Sequence, residues 1–435
     1  MLKRKVLNQL NDWKNNPDKK CLLVQGARQV GKTYAIRQFA KTSYKEYLEL
    51  NFKENPDYAK IFSGNLDPDT LLLGLKFRFP SMSFDPNNTL LFLDEIQECP
   101  EAITSLKFWT DDGKFDVIAS GSLLGIDYKR PSSYPVGYVE YIKMHALDFE
   151  EFLWALGIDD NLILSLKDFF LERRVIPEAV HDQMMKLFRQ FIAIGGMPEV
   201  VQNYVDHKDF VKTDTLQRQL LQGYLYDIAH YAESEEKTKA EKCFLSLSKQ
   251  LLDKENHKFQ YKEVESGGRA QKYYSSIDWL VNADIIQLSR SVSDIRFDLD
   301  DYADSSMFRA YTHDLSLLLA MKDYGFKQRI IENTLTGSSK GGIYECAIAD
   351  ILIKKDYKMY YYKNDTIHRE IDFMFQKEGR IVVLEVKSSN QKATSLNKIS
   401  AKKNDIIAAY KLVSGNIGDA ENGATTIPLY MAMFL

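Results

Sequence analysis

The eight residues GARQVGKT (Gly26–Thr33) follow the apolar run CLLVQ directly and precede a helical pattern, Thr33–Lys41. They fit G-x-x-x-x-G-K-[ST], and a strand before and a helix after is the context such a loop requires. Gly26 and Gly31 let the backbone curl so that the amide N–H groups of the loop, through Ala27, Arg28, Gln29 and Val30, point inward. The helix start adds partial positive charge beside them. This arrangement predicts a cradle for nucleotide phosphates, with Lys32 reaching the terminal phosphates and the Thr33 hydroxyl ligating Mg2+.

A second element narrows the reading. In LLFLDEIQ (Leu90–Gln97) four apolar residues end at Asp94 and Glu95, so a buried strand delivers two carboxylates to its carboxyl end, where open α/β sheets bind ligands. Asp94 would hold Mg2+ through water, and Glu95 would orient or deprotonate the attacking water. A bare acidic pair after a strand would otherwise read as a helix cap. A third run, FDVIASGSLLG, ends in Ser120, Gly121 and Ser122; the Ser120 hydroxyl is placed to sense the terminal phosphate or its water, unless the segment is a plain turn.

These runs set the fold class as α/β. Cys21–Val24, Tyr47–Phe52, Leu90–Leu93 and Phe115–Ala119 alternate with helical patterns over the first ~150 residues, as in a parallel sheet wrapped by helices. At 435 residues the chain suggests two to four domains. No apolar run approaches the ~20 residues that span a bilayer, and the basic start MLKRKVLNQL is not followed by the apolar stretch of a signal peptide. The four cysteines lie far apart without metal-ligand spacing, which suits a reducing cytoplasm. A net charge of −4 excludes a global polyanion-binding field. Between Lys340 and Lys403, however, 13 Lys/Arg stand against 8 Asp/Glu, either a solvated surface or a nucleic-acid face.

From Phe149 to Ile330 long helical patterns dominate, among them Asp182–Ala193 and Lys212–Ala232. Within them Glu241–Phe297 reads helix (242–252), KEVESGG turn, helix (270–282), then strand-like DIIQLSRSV, the order of a winged helix. Arg269 and Lys272 would lead its candidate DNA-recognition helix; docking of a protein is the other use of such a layout. After a TGSSKGG loop (Thr336–Gly342) come a helix, 343–354, and strand-like segments 358–362, 370–375, 381–386 and the terminal IPLYMAMFL.

This last region holds a second candidate site. Glu385 and Lys387 in LEVK share one strand face, and an adjacent strand would bring Asp372 of REID beside Glu385. Two carboxylates would then hold Mg2+, with Glu345 upstream as a further ligand and Lys387 steadying hydroxide or phosphate. A cross-strand salt bridge is the plain reading of ExK. His145 and His368 read as structural. GGMP (Gly195–Pro198) reads as a helix terminator, and Tyr360–Tyr362 as two faces of a strand.

GARQVGKT, LLFLDEIQ and ASGSLLG together resemble the AAA+ ATPases. With HALDFEEFL, IGGMPEVV and REIDF…LEVKSS, nearly the whole chain resembles the prokaryotic group that joins such an ATPase to a carboxyl-terminal DUF4143 region. The D…ExK pattern is similar to the core of PD-(D/E)xK nucleases. The resemblance implies ATP as ligand, slow hydrolysis and switch-like coupling to other domains. AAA+ machines usually complete the site with an arginine, often from a neighbouring subunit of an oligomer; only Arg28 and Arg130 offer themselves, by proximity in sequence. Where relatives carry Gly-Arg after the sensor strand, this chain has Gly137-Tyr138, which implies weak turnover.

The expected architecture is a P-loop NTPase parallel sheet over 1–150, a helical and winged-helix region over 151–336, and a small α/β nuclease-like domain over 337–435. The expected function is ATP hydrolysis coupled to a carboxyl-terminal module that acts on or binds nucleic acid. The rival is an ATP-dependent scaffold switch whose terminal module only binds a partner.

Overall fold

Leu90–Leu93 carries no polar residue to mark an outer face, and in the structure its strand, β3 (Thr89–Asp94), is buried throughout. It lies inside a five-stranded parallel sheet with β1 (Cys21–Gly26), β2 (Glu46–Asn51), β4 (Asp116–Ser122) and β5 (Val139–Lys143), ordered β2-β3-β4-β1-β5. Strands covered on both faces read as unbroken apolar runs for this reason. The structure is a computed structural model. It describes residues 2–435 apart from 87, 123–134, 233–235, 253–257, 365, 367–368, 389–395, 397–404 and 422–423.

The described chain forms two compact units, one of residues 4–146 with 282–284 and the other of the remainder. In the first, Leu91 and Leu93 face a core with Phe52, Phe62, Leu71, Leu75, Ile103, Leu106 and Trp109. Each such side chain, fully buried, contributes roughly 1.5–3 kcal/mol. The helix Lys32–Ser43 buries Ala35, Ile36, Phe39 and Ala40, the i, i+1, i+4, i+5 stripe of an amphipathic helix. Parallel register sets the strand tips level: Asn51 stands opposite Asp94, and Gly26 opposite Ser122. Strand β5, which the sequence pattern leaves unassigned, pairs with β1.

The second unit begins with helices Phe149–Ala155, Asp160–Glu172, Glu178–Ile194, Pro198–His207 and Phe210–Tyr231. HALDFEEFL gains a physical role here: Asp148 accepts from the Glu151 amide at 2.8 Å and Glu151 accepts from the Asp148 amide at 3.3 Å, a capping box that starts the first of these helices. IGGMPEVV ends one helix at Ile194 and starts the next at Pro198. A Cβ on Gly196 would lie 2.0 Å from the Leu147 carbonyl oxygen, so the turn requires glycine for close packing as well as for the stop.

Helices Lys237–Leu252, Tyr261–Val264 and Ala270–Asn282 precede a hairpin of β6 (Ile286–Val292) and β7 (Ala303–Thr312). Helices Leu315–Ala320, Tyr324–Ile331 and Gly337–Lys354 follow, then β8 (Met359–Asn364), β9 (Arg369–Lys377), β10 (Arg380–Val386), β11 (Ile406–Val413), β12 (Gly418–Glu421) and β13 (Ala424–Pro428). One sheet, β12-β13-β11-β10-β9-β8-β6-β7, takes in the hairpin through parallel pairing of β6 with β8. Residues on both sides of position 336 therefore share this sheet.

Two local expectations are corrected. TGSSKGG is no loop: Gly337–Gly342 forms the first turns of the 337–354 helix. The glycine that reads as a breaker is a contact point, since a Cβ on Gly342 would meet the Leu251 carbonyl oxygen at 2.2 Å. The terminal IPLYMAMFL is strand only to Pro428; Leu429–Phe434 winds into a buried 3-10 helix. Apolar runs of that length do not separate strand from buried helix, and proline's missing N–H ends ladder pairing. Among the described residues no helix is long and apolar enough to cross a membrane.

Candidate functional site

The loop after β1 is held from three sides. The Met144 amide, just past β5, donates to the Gln25 carbonyl at 2.7 Å, which brings the Met144 carbonyl against Gly26. A Cβ on Gly26 would stand 2.1 Å from that oxygen, so no side chain fits. Gly31 takes φ 93° and leads into the 32–43 helix without a side-chain cap, leaving the orphan amides of the helix start facing the loop. The buried Arg4 donates to the Val30 carbonyl at 3.0 Å and to the His145 carbonyl at 2.6 Å, pinning the far side of the loop. Arg4 escapes notice in the sequence because it sits in an ordinary basic amino terminus.

Lys32 Nζ donates to the carbonyls of Gly26 and Ala27 at 3.0 and 2.9 Å. Burial pushes its ammonium down to about 8, while Glu95 and Asp94 oppose that fall. Arg28 is half-buried within the loop and Gln29 is exposed with φ 64°. Arg130 lies outside the described residues, as does His368. Tyr138 packs under Lys107, 4.9 Å from ring centroid to Nζ.

Asp94, 2 % exposed, is where the elements converge. Its carboxylate accepts from Thr33 Oγ1 at 3.1 and 3.2 Å, from Asn51 Nδ2 at 3.0 Å, and from Ser120 Oγ. The tips of β2, β3 and β4 and the first turn of the 32–43 helix thus meet at one carboxyl group. Burial raises its pKa, and the Ser120 and Thr33 hydrogen bonds oppose that rise. Asn51 has no motif of its own; only the register of β2 on β3 puts it there. Glu95 stands next to it with φ 53°, in the left-handed region that costs a non-glycine residue energy. Its carboxylate accepts from the amide of the buried Gln97. Thr33 and Asp94 present a hydroxyl and a carboxylate to one spot at the loop mouth, a donor set that fits Mg2+ completed by phosphate oxygens and water. Among the described residues no group of three or more His, Cys, Asp or Glu side chains is arranged to hold a metal by itself.

The four carboxyl-terminal candidates do come together. Antiparallel register sets Phe373 of β9 opposite Leu384 of β10, and the Val386 amide donates to Asp372 Oδ2 at 2.8 Å. Glu345 projects from the 337–354 helix into the same cluster. Glu385 accepts from Lys387 Nζ at 2.8 Å and from the Leu396 amide at 3.3 Å. The unforeseen member is Arg309 of β7, 3 % exposed at its side chain. It lies 2.9 Å from Glu345 Oε1, 2.5 Å from Glu370 Oε1 and 3.8 Å from Asp372 Oδ1. Its guanidinium stacks on Tyr361, 4.5 Å from the ring centroid, and Tyr311 Oη donates to Glu345 at 2.6 Å. Burial, then the Glu345 charge, pushes the Asp372 carboxyl up to about 7, against Arg309 and Lys387. Burial opposes the charge on Lys387, yet Asp372 and Glu385 hold its pKa above the ordinary lysine value.

Arg269 and Lys272 are both exposed at the start of the 270–282 helix. Lys272 is committed to Glu265 at 2.7 Å, with Lys242 at 3.7 Å from the same carboxylate.

Residues 18–153 match the AAA domain family AAA_14. Residues 185–328 match a domain of unknown function, DUF8612, and residues 340–430 another, DUF4143. The chain carries an AAA domain and a DUF4143 domain. No curated protein matches it. Among solved structures it is similar to the Aeropyrum pernix ORC1 protein in complex with DNA, at 10% identity over 76% of this chain and 94% of that one, TM-score 0.29. It is also similar to AMPPCP-bound DnaA from Aquifex aeolicus, at 14% identity over 64% and 86%, TM-score 0.29. The AAA domain covers the P-loop and Asp94, and the DUF4143 domain covers Glu345, Asp372, Glu385 and Lys387.

Proposed function

We propose that the AAA domain binds ATP with Mg2+ at Gly26–Thr33 and hydrolyses it, and that the cycle controls the DUF4143 end of the chain. The observation that carries this reading is the convergence of Thr33, Asn51 and Ser120 on Asp94. A carboxylate served by two hydroxyls and an amide is one turned toward a cation. Lys32 and the loop amides would hold the terminal phosphates, and Mg2+ would neutralise charge building between them. Glu95 would accept the proton of the attacking water, with Gln97 fixing its carboxylate and Ser120 sensing the reacting phosphate.

Lys32→Ala should lose binding of a fluorescent ATP analogue, whereas Glu95→Gln should keep it and release phosphate at least ~100-fold more slowly. Hydrolysis at the native rate by folded Glu95→Gln would remove Glu95 as the base. The buried, unpaired cysteines suit action in a reducing cytoplasm.

For the far end two readings stand: a nuclease-like module acting on nucleic acid, with DNA also meeting the winged-helix-like segment at Arg269 and Lys272, or a scaffold switch that only binds a partner. The Arg309 guanidinium among the carboxylates favours the second. Mg2+- or Mn2+-dependent DNA cutting that Asp372→Ala abolishes would restore the first.

A further inference from the structure

In a nuclease-type core the carboxylates share a divalent cation, and each needs an oxygen lone pair free toward the metal at about 2.0–2.6 Å. Here the protein already makes contacts to each of these carboxylates. Glu345 Oε1 takes Arg309 and Tyr311; Asp372 Oδ2 takes the Val386 amide while Oδ1 faces Arg309; Glu385 takes Lys387 on one oxygen and the Leu396 amide on the other. Glu370 closes on the second guanidinium nitrogen. A planar guanidinium, always charged and able to fork between carboxylates, suits such a buried site better than an ammonium. The Tyr361 face below it fixes the plane.

We propose that Arg309 is the resident cation of the Glu345–Glu370–Asp372 cluster, so that the DUF4143 domain holds no divalent metal while β7 stays in the sheet. The proposal rests on the scaffold reading of the far end and is independent of the ATPase reading. Its physical basis is exclusion. A divalent ion approaching Glu345 and Asp372 would meet a fixed positive charge within 4 Å of both, and that charge would have to leave a buried position where it already satisfies several acids. The device also links the two sequence regions. Arg309 comes from the hairpin, while its acids come from the helix and strands beyond residue 336, so withdrawing β7 would unmask a metal-binding set.

The test uses the full chain, nucleotide-free, titrated with Mn2+ and read by the loss of the free-ion electron spin resonance signal. Wild type and Asp372→Asn should bind the same amount. Arg309→Met should bind one further Mn2+ per chain, and Arg309→Met/Asp372→Asn should lose it again. Arg309→Lys, which keeps a cation in place, should resemble wild type. Should Arg309→Met fail to fold, Arg309→Met/Glu370→Gln removes one charge of each sign while leaving Glu345, Asp372 and Glu385 in place, and should show the same gain. Mn2+ retained by wild type and lost in Asp372→Asn overturns the proposal; if DNA cutting accompanies it, the nuclease reading returns. A folded Arg309→Met chain that gains no Mn2+ also overturns it, while leaving the scaffold reading untouched.

Discussion

Asp350 allows a quantitative test of how the second unit stores charge. Its carboxylate and that of Asp314 each lie 2.7 Å from Lys354 Nζ, and the three side chains are no more than 2 % exposed. One lysine therefore serves two buried acids. Burial works against Asp314 as well, yet Lys354, His313 and Ser316 hold its pKa below the ordinary aspartate value. Asp350 takes the remainder: burial and the neighbouring Asp314 charge push it from 3.8 up to about 7 despite Lys354. A raised carboxyl pKa means the folded chain keeps a proton that the unfolded chain releases near pH 4. Stability contributed by this group is therefore highest below pH 4 and falls as pH rises through the window from 4 to 7. A shift of about three units corresponds to about 4 kcal/mol across that window. Asp350→Asn removes the titration. The amide leaves either the Leu315 N–H or the lysine without its acceptor, a pH-independent loss of about 1–3 kcal/mol. The variant should thus be less stable than wild type at pH 4.5 and should overtake it by pH 8. Hydrogen exchange of peptides from the 337–354 helix, measured against urea at several pH values, reports this unit alone. A wild-type-minus-variant difference that stays flat from pH 4 to 7 would refute the reasoning, because the offset alone carries no slope.

Two further outcomes follow from the nucleotide site. Asn51→Ala should leave the fold intact and weaken the Mg2+ dependence of nucleotide binding, by about 1.5–3 kcal/mol for one lost hydrogen bond to a charged acceptor, read by titrating Mg2+ at fixed analogue. Gly26→Ala forces a Cβ to within 2.1 Å of the Met144 carbonyl, so β5 must separate from β1; analogue binding should vanish and the first unit should lose at least ~2 kcal/mol in urea unfolding.

The proposed nucleotide site is legible in the sequence because its residues are local. Gly26–Thr33 is one loop, and Asp94 and Glu95 are consecutive, so a motif and an apolar run locate them. Asn51 and Arg4 were not legible, since each reaches the site only through tertiary register: Asn51 by standing opposite Asp94, Arg4 by crossing to the Val30 and His145 carbonyls. Strand β5 was missed for a related reason. As the edge strand, with Tyr141 half-exposed, it lacks the unbroken apolar pattern of the central strands. Arg309 illustrates the same limit at the far end. The pattern D…ExK names the acids but says nothing of what neutralises them, and the neutralising residue lies 63 positions before Asp372, the first of the motif acids, in a hairpin with no motif of its own.

The contrast between the acid sites bears on function more than either motif does. Each site holds buried carboxylates, with Glu370 half-exposed at the rim of the third, and a buried acid must find a positive counterpart or neutral donors to remain inside the protein. Asp314 and Asp350 use Lys354; Glu345, Glu370 and Asp372 use Arg309. Both cations are fixed on the backbone of the second unit, so these sites are electrostatically closed. Asp94 is served by two hydroxyls and an amide, and among the described residues no lysine, arginine or histidine forms an ion pair with it. Its negative charge is oriented by neutral donors, and burial holds its pKa above the ordinary aspartate value. A cation arriving with phosphates would therefore gain most at Asp94 and least at the DUF4143 cluster. On the proposed reading the chain's chemistry would sit at the AAA domain, and the far end would serve binding for as long as Arg309 stays seated.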